Sequence, residues 1–202
     1  MIIDLRDYTT APGARDRLID ACERLFFPEQ ERLGAKILGL FRDAGDPNRY
    51  VWLRGVPDME TRARVLTAFY TDGAMWKAQR DEVNGWIADS DNVLLMRPVT
   101  EIAAPAVEES VVGMYTRVGK APLADGAAAW REIPAAIERA GGRLLVTLAT
   151  DPAENNYPHH PIRTGEHGFV WLATFAPERM RPLGVASIVE RRLMPASTSW
   201  LR

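Results

Sequence analysis

The sequence predicts an α+β protein of two similar halves, each running β-α-β-β-α-β with antiparallel sheets. Three observations predict it. First, strand-like and helix-like hydrophobic periods follow one another in that order twice along 202 residues. Second, short segments recur: Tyr50-Val51-Trp52-Leu53 returns as Phe169-Val170-Trp171-Leu172, and Arg62 returns as Arg181 at the same offset. Tyr8-Thr9 likewise matches Tyr115-Thr116, and Gly34 matches Gly142. Third, residues 100–109, with Ala103, Ala104 and Pro105, carry little periodicity and read as a linker. The halves are then residues 1–99 and 107–202.

Residues 2–8 alternate, Ile3 and Leu5 against Asp4, Arg6 and Tyr8, which is the period of a half-buried strand. Pro12-Gly13 opens a helix with Leu18, Cys22, Leu25 and Phe26 on one face; proline is tolerated at a helix start because its missing donor has no partner there. Gly34 stops it. Residues 36–42 are a second strand, residues 43–48 a polar turn, and residues 50–54 an aromatic and β-branched third strand. Asp58 is placed to cap a helix carrying Met59, Ala63, Leu66 and Phe69. Another helical stretch holds Met75, Gln79, Val83 and Trp86, and residues 92–98 form a fourth strand.

The order then restarts. Residues 110–117 are a strand; residues 124–140 are a helix with Trp130, Ile133 and Ile137 inward, closed by Gly141-Gly142. Residues 143–149 and 168–175 are strands, Pro177 starts a helix with Met180 and Leu183, and residues 193–197 are a last strand. Between its second and third strands this half carries an additional loop, residues 151–166, and it lacks the stretch that holds Trp76 and Trp86 in the first half. The plan is that of two tandem ferredoxin-like repeats.

Composition bounds the function. A formal net charge of -2 leaves no basic footprint for nucleic acid and no polybasic patch for anionic lipid. Apolar runs such as residues 93–96 and 144–148 fall far short of the ~20 residues of a membrane span. The N-terminus enters a strand pattern without the features of a signal peptide. Cys22 is the single cysteine, so a reducing, cytoplasmic setting is expected. On its apolar helix face it reads as a small buried hydrophobe. There is no dinucleotide fingerprint, zinc pattern, metalloprotease pair or nucleophile elbow, so no metal and no cofactor is expected.

Several stretches together resemble the NIPSNAP family: Asp4-Leu5-Arg6-Asp7-Tyr8, Pro12-Gly13, residues 34–41 (Gly-Ala-Lys-Ile-Leu-Gly-Leu-Phe), Asn48-Arg49-Tyr50-Val51-Trp52-Leu53, Arg62 and Trp76, in order. The likeness extends over nearly the whole chain, stronger in the first half. In the second, Gly113 stands where the arginine would be. The resemblance implies a dimeric α+β barrel with two facing sheets, hence a homodimer, although two similar halves could also close within one chain. Related barrels include cofactor-free oxygenases, small-molecule isomerases and haem-degrading enzymes, an analogy of fold alone.

The candidate site follows from alternation. Arg6 and Tyr8 share one face of the first strand, and Trp52 and Arg54 one face of the third. Leu5, Val51 and Leu53 take the other face and are expected against the helices, so Arg6, Tyr8, Trp52 and Arg54 should look into the barrel. Two guanidinium forks beside aromatic rings suit a small planar compound with a carbonyl or anionic group; the plainer reading is that they pair with Asp4 or Asp7 and fill space. Arg54→Ala is expected to weaken such a ligand. Tyr115 and Trp171 would form a less charged counterpart, since Gly113 and Ala173 replace arginines. His159 and His160 sit in the additional loop between Pro158 and Pro161, with His167 beside it; the loop is expected to be irregular and to lie over a barrel mouth as a lid. Arg62/Arg64 and Arg191-Arg192 read as surface. A non-catalytic interaction module, with a barrel filled by side chains, is the alternative function.

Overall fold

The computed structural model describes residues 1–103, 110–121, 127–186 and 188–201, with the backbone alone for 127–130. Among these residues nine strands form one antiparallel sheet: β1 (Ile2–Thr10), β2 (Lys36–Asp43), β3 (Arg49–Val56), β4 (Ile87–Asp89), β5 (Val93–Pro98), β6 (Val111–Gly119), β7 (Arg143–Thr150), β8 (His167–Phe175) and β9 (Val189–Pro195). The order β3-β2-β9-β6-β8-β7-β5-β1 closes through an additional β1–β3 ladder, giving an eight-stranded barrel, with β4 added against the end of β1. The ferredoxin-like order appears twice, as β2-β3-β1-β5 and as β7-β8-β6-β9. The seams are β2–β9 and β5–β7. The closure that the resemblance assigns to two chains is thus made by two halves of one. The part of the linker at residues 104–109 lies outside the described residues.

Ladder registers sharpen the internal match. Arg6 pairs with Trp52, and Tyr115 pairs with Trp171. If Trp52 and Trp171 correspond, Tyr115 takes the place of Arg6 rather than of Tyr8, and Gly113 opposite Ala173 takes the place of Asp4 opposite Arg54. The register breaks between Ile37 and Gly39 in β2 and between Leu144 and Val146 in β7, at equivalent points. Gly34 then corresponds to Gly141, and both have positive φ, 109° and 76°.

Helix α1 (Arg15–Ala21), a π-helical turn Cys22–Phe26 and α2 (Phe27–Arg32) form one continuous rod. The wider π turn changes the phase, so Cys22, Phe26 and Phe27 are buried while Leu25, expected inside, is exposed. Helix α3 (Met59–Leu66) starts on Asp58, whose carboxylate accepts from the Thr61 N–H at 2.7 Å. It runs into a second π turn, Thr67–Asp72, and then α4 (Ala74–Asn84). In the second half α5 (Ala127–Arg139) is the one helix among the described residues. The expected inward side chain of Trp130 lies outside them. The helix expected after Pro177 does not form. Pro182 lacks a donor N–H, Gly184 adopts φ 68°, and the Leu183 N–H is taken by the Glu190 carboxylate at 3.0 and 3.1 Å.

Side chains from every barrel strand meet in one apolar cluster that includes Leu5, Val51, Leu53, Leu94, Met114, Leu148, Leu172 and Leu193. Only the inside of the barrel can gather all eight strands, and an eight-stranded barrel is just wide enough for side chains to fill. This reverses the expected facing. Leu5, Val51 and Leu53 occupy the barrel interior; Arg6, Tyr8, Trp52 and Arg54 are on its outer face, beneath the helices of the first half. The sheet buries both faces, so alternation alone could not say which one looked inward. Near one barrel end, Arg191 of β9 bridges Asp7 at 3.2 Å and Asp43 at 3.0 Å, and Arg49 pairs with Asp7 at 2.9 Å, tying the second half to the first. No helix among the described residues is long and apolar enough to cross a membrane.

Candidate functional site

Between the outer face of β1 and β3 and the first-half helices lies a cavity of about 520 Å³. Arg6, Tyr8, Tyr50 and Trp52 form its floor from the sheet; Phe26, Phe27, Phe69, Tyr70 and Trp76 wall it from the helical side. The rings pack edge-on or tilted, as in Phe26–Trp76 at 5.6 Å, Phe27–Trp52 at 5.1 Å and Tyr8–Tyr50 at 5.5 Å between centroids. Such contacts make a rigid apolar wall at low entropic cost. Tyr157, His159, His160 and Pro161 complete the lining from the additional loop.

Of the residues the sequence proposed, Arg6, Tyr8, Trp52, His159 and His160 meet here. Arg54 does not line the cavity. Its Nη2 and Nε donate to Asp4 at 2.6 and 3.1 Å, and its Nη1 donates to Gln30 Oε1 at 2.7 Å. Arg62, read as surface, is fully buried: its Nε donates to Asp4 at 2.9 Å and its Nη1 to Asn155 and Asn156 at 3.0 Å. Asp4 therefore joins the sheet, α2, α3 and the loop. Although burial opposes its ionisation, the Arg54, Arg6 and Arg62 guanidinium groups hold its carboxyl well below the usual carboxylate range.

Arg6 is 1% exposed. It donates through Nη1 to the Tyr8 phenol oxygen, faces His160 Nδ1 at 3.5 Å, and stacks 5.3 Å from the Trp52 ring centroid. Its Nε and Nη2, and the Trp52 Nε1, have no hydrogen-bond partner among the described residues. Burial lifts the Tyr8 phenol above its ordinary value against the opposing charge of Arg6. Burial and then the charges of Arg6 and Arg54 push His160 down to about 2, so its ring is neutral at physiological pH. The thiol of Cys22, on the cavity wall, is held un-ionised by burial.

The loop has no helix or strand at His159 and His160, but it lies over this cavity rather than over a barrel mouth. His160 is 4.0 Å from the Tyr70 ring centroid, and Tyr157 shares a 2.8 Å hydrogen bond with Thr71. Asn155 Nδ2 donates to the His160 carbonyl at 2.8 Å, so the Asp4–Arg62–Asn155 chain fixes where His160 sits. A second-half segment thus completes a first-half site. The signal for Arg62 was in the sequence: it falls three residues after Met59, four before Leu66 and seven before Phe69, on the apolar helix face where a solvated arginine would not be placed.

Tyr115 and Trp171 are elsewhere, fully buried with Phe175 beneath Ile133 and Ile137 of α5. The Tyr115 ring folds over Gly113, where an added Cβ would come within 2.6 Å of its hydroxyl. With Gly113 and Ala173 in place of Asp4 and Arg54, that ring fills the space and the counterpart is packed core. Among the described residues no three His, Cys, Asp or Glu side chains are placed to hold a metal ion.

A closed antiparallel α+β barrel with an aromatic, guanidinium-floored cavity under its first-half helices defines the class. Residues 3–101 match the family model described as NIPSNAP, so the chain carries a NIPSNAP domain in its first half; the likeness expected over nearly the whole chain is shown for that half. Two solved structures share the whole architecture. One, from Lactobacillus acidophilus NCFM and provisionally named a monooxygenase, is 14% identical with a TM-score of 0.58, covering 96% of this chain and 93% of its own. Another, from Fusobacterium nucleatum subsp. nucleatum and named in the same provisional way, is 12% identical with a TM-score of 0.59, covering 96% and 91%. A NIPSNAP domain protein from Burkholderia xenovorans, 17% identical, aligns over 50% of this chain and 96% of its own with a TM-score of 0.44. No match was found among curated proteins.

Proposed function

We propose that this protein binds a small planar aromatic compound bearing a carbonyl or anionic oxygen in the cavity over Arg6, and acts on it by cofactor-free oxygenation or isomerisation. One observation carries the proposal: a buried guanidinium with unpaired N–H groups at the floor of an aromatic-walled cavity. Pockets of this size with apolar walls and a few convergent polar groups are the usual form of a small-molecule site. Negative charge that develops on a substrate oxygen as a neighbouring proton passes to solvent water is stabilised by Arg6 and by the Tyr8 hydroxyl, whose own proton is free to donate. The resulting enolate or phenolate is the electron-rich species that reacts with dioxygen or is reprotonated elsewhere. His160, neutral, serves as a hydrogen-bond acceptor. The provisional names of the two whole-chain neighbours accord with oxygenation, but at 14% and 12% identity they argue for the fold, and the cavity supplies the chemistry.

The interaction-module alternative expects a barrel filled by side chains, as the interior is; what favours a small-molecule site over it is the open space over the face of Arg6 and Trp52, outside the barrel. A homodimer, if formed, is a contact between closed barrels and not the closure of an open sheet; sedimentation at micromolar concentration decides it. The function is tested with two- and three-ring aromatic carbonyl compounds, followed by tryptophan fluorescence, since Trp52 and Trp76 line the cavity, and by dioxygen uptake. Saturable quenching by some members, with turnover of a subset, is expected. A panel in which nothing binds saturably overturns the reading.

A further inference from the structure

We propose that the cavity selects an anion, an aromatic carboxylate whose two oxygens take the fork of Arg6, over neutral aromatic carbonyl compounds. This rests on the small-molecule reading above and narrows its ligand class.

The first argument is charge. Arg6, Arg54 and Arg62 are all buried, and among the described residues the one buried carboxylate that faces them is Asp4. Three guanidinium groups against one carboxylate leave two positive charges in a region shielded from water. Both oxygens of Asp4 are engaged by Arg54 and Arg62, at 2.6 and 2.9 Å. Arg6 is thus left without an ion-pair partner among the described residues. A buried charge is costly unless it is paired and hydrogen-bonded, so a site of this kind favours a ligand that brings the missing counter-charge.

Donor inventory gives the second argument. Arg6 Nε and Nη2 are adjacent, parallel, buried donors, the geometry that matches a carboxylate bidentately, and neither has a partner among the described residues. Trp52 Nε1 is a further unpartnered donor on the same floor. Tyr8 accepts from Arg6 Nη1 and so has its own O–H to give. Besides the Tyr8 oxygen, the acceptor that faces Arg6 is the His160 ring nitrogen, 3.5 Å from Nη1. A neutral ketone or ester offers one good acceptor oxygen, whereas a carboxylate offers two oxygens and a full charge.

The rest of the lining agrees. No carboxylate lines the cavity among the described residues, while the exposed Lys77 and Arg80 do. An acid approaching the cavity meets positive charge first and aromatic faces next. The stacked pair of Arg6 and Trp52 then holds the guanidinium plane fixed, which lowers the ordering cost of a two-point contact.

The probes are 2-naphthoate and its methyl ester, of nearly the same shape and ring area, titrated calorimetrically into the whole chain. The acid is expected to bind at least tenfold more tightly than the ester, the ~10–100-fold that a charge-assisted bidentate contact supplies. Arg6→Gln should remove most of that difference by weakening the acid far more than the ester, and Arg6→Lys, which keeps charge but loses the fork, should fall between. Circular dichroism and unfolding temperature establish that each variant is folded. Should Arg6→Gln not fold, raising salt from ~50 to ~500 mM on the unaltered chain must weaken the acid and spare the ester. Equal binding of acid and ester leaves the small-molecule reading standing and overturns the anion inference. Binding of neither probe overturns both. A preference for the acid that survives Arg6→Gln places the anion elsewhere and also overturns the inference.

Discussion

Asp4 illustrates how one carboxylate organises a site it does not line. It satisfies Arg54 and Arg62 directly, and through Arg62 it reaches Asn155 and the loop. Replacing it with Asn keeps the shape and removes the charge, leaving three buried guanidinium groups facing each other. Asp4→Asn is expected to cost about 3–5 kcal/mol in urea unfolding, the range for breaking a buried ion pair on one side. Because its folded pKa lies below the unfolded value of ~3.9, Asp4 contributes stability above that pH and loses it only as acid approaches the folded value. The acid limb of the stability curve should therefore flatten in Asp4→Asn. His160 acts with the opposite charge logic. It is held neutral by burial and by Arg6, Arg54 and Arg62, with Asp4 opposing, so the unfolded chain takes up a proton near pH ~6.5 that the folded chain refuses down to about 2. Stability thus falls as pH drops below ~6.5, by about 2 kcal/mol at pH 5 if the loop stays closed. His160→Gln should remove this dependence, measured by chemical unfolding at pH 7 and pH 5; an unchanged slope would show that His160 is solvated.

At the scale of elements, local signals set most boundaries. Asp58 caps α3 through Thr61, and Asp58→Ala is expected to lower stability by ~1 kcal/mol, read from the urea midpoint. The π turn at Cys22–Phe26 is the kind of feature periodicity misses: one added residue per turn rotates Leu25 outward and brings Phe26 and Phe27 together onto the cavity. The helix expected after Pro177 from the apolar spacing of Met180 and Leu183 does not form, because Pro182 and Gly184 interrupt it. The loop is held by side chains instead of by backbone ladders. Arg62→Gln should therefore speed amide exchange at residues 155–160 while leaving β7 and β8 protected.

For the whole molecule, closure is the decisive event. Strands β2 and β5 of the first half end the ferredoxin-like sheet, and they are paired by β9 and β7 of the second. The first half alone, residues 1–99, would expose those edges and the face of Leu5, Val51 and Leu53. Expressed alone it is expected to elute as a dimer or larger species in size exclusion, because an unpaired apolar sheet seeks a partner. A soluble monomeric first half with native-like strand signal would show that closure is dispensable. The same closure makes the site a joint product: β1, β3 and the first-half helices hold the walls, and a second-half loop brings His160 to Arg6.

The sequence by itself determined the strand order, the antiparallel pairing and the first-half family likeness. Those depend on local period, turn residues and short segments that act wherever they fall in the chain. It also placed Arg6, Tyr8 and Trp52 on one sheet face, because alternation is a property of the strand. Only the tertiary structure decided which face that was. Both faces are buried, one by the barrel and one by helices, so hydrophobicity does not distinguish them; the narrow interior of an eight-stranded barrel does, by admitting only closely packed apolar side chains. It alone also decided that Arg54 and Arg62 pair with Asp4 while Arg6 is left to face the cavity, since that division depends on how α2, α3 and the loop approach the sheet, across separations no local signal spans.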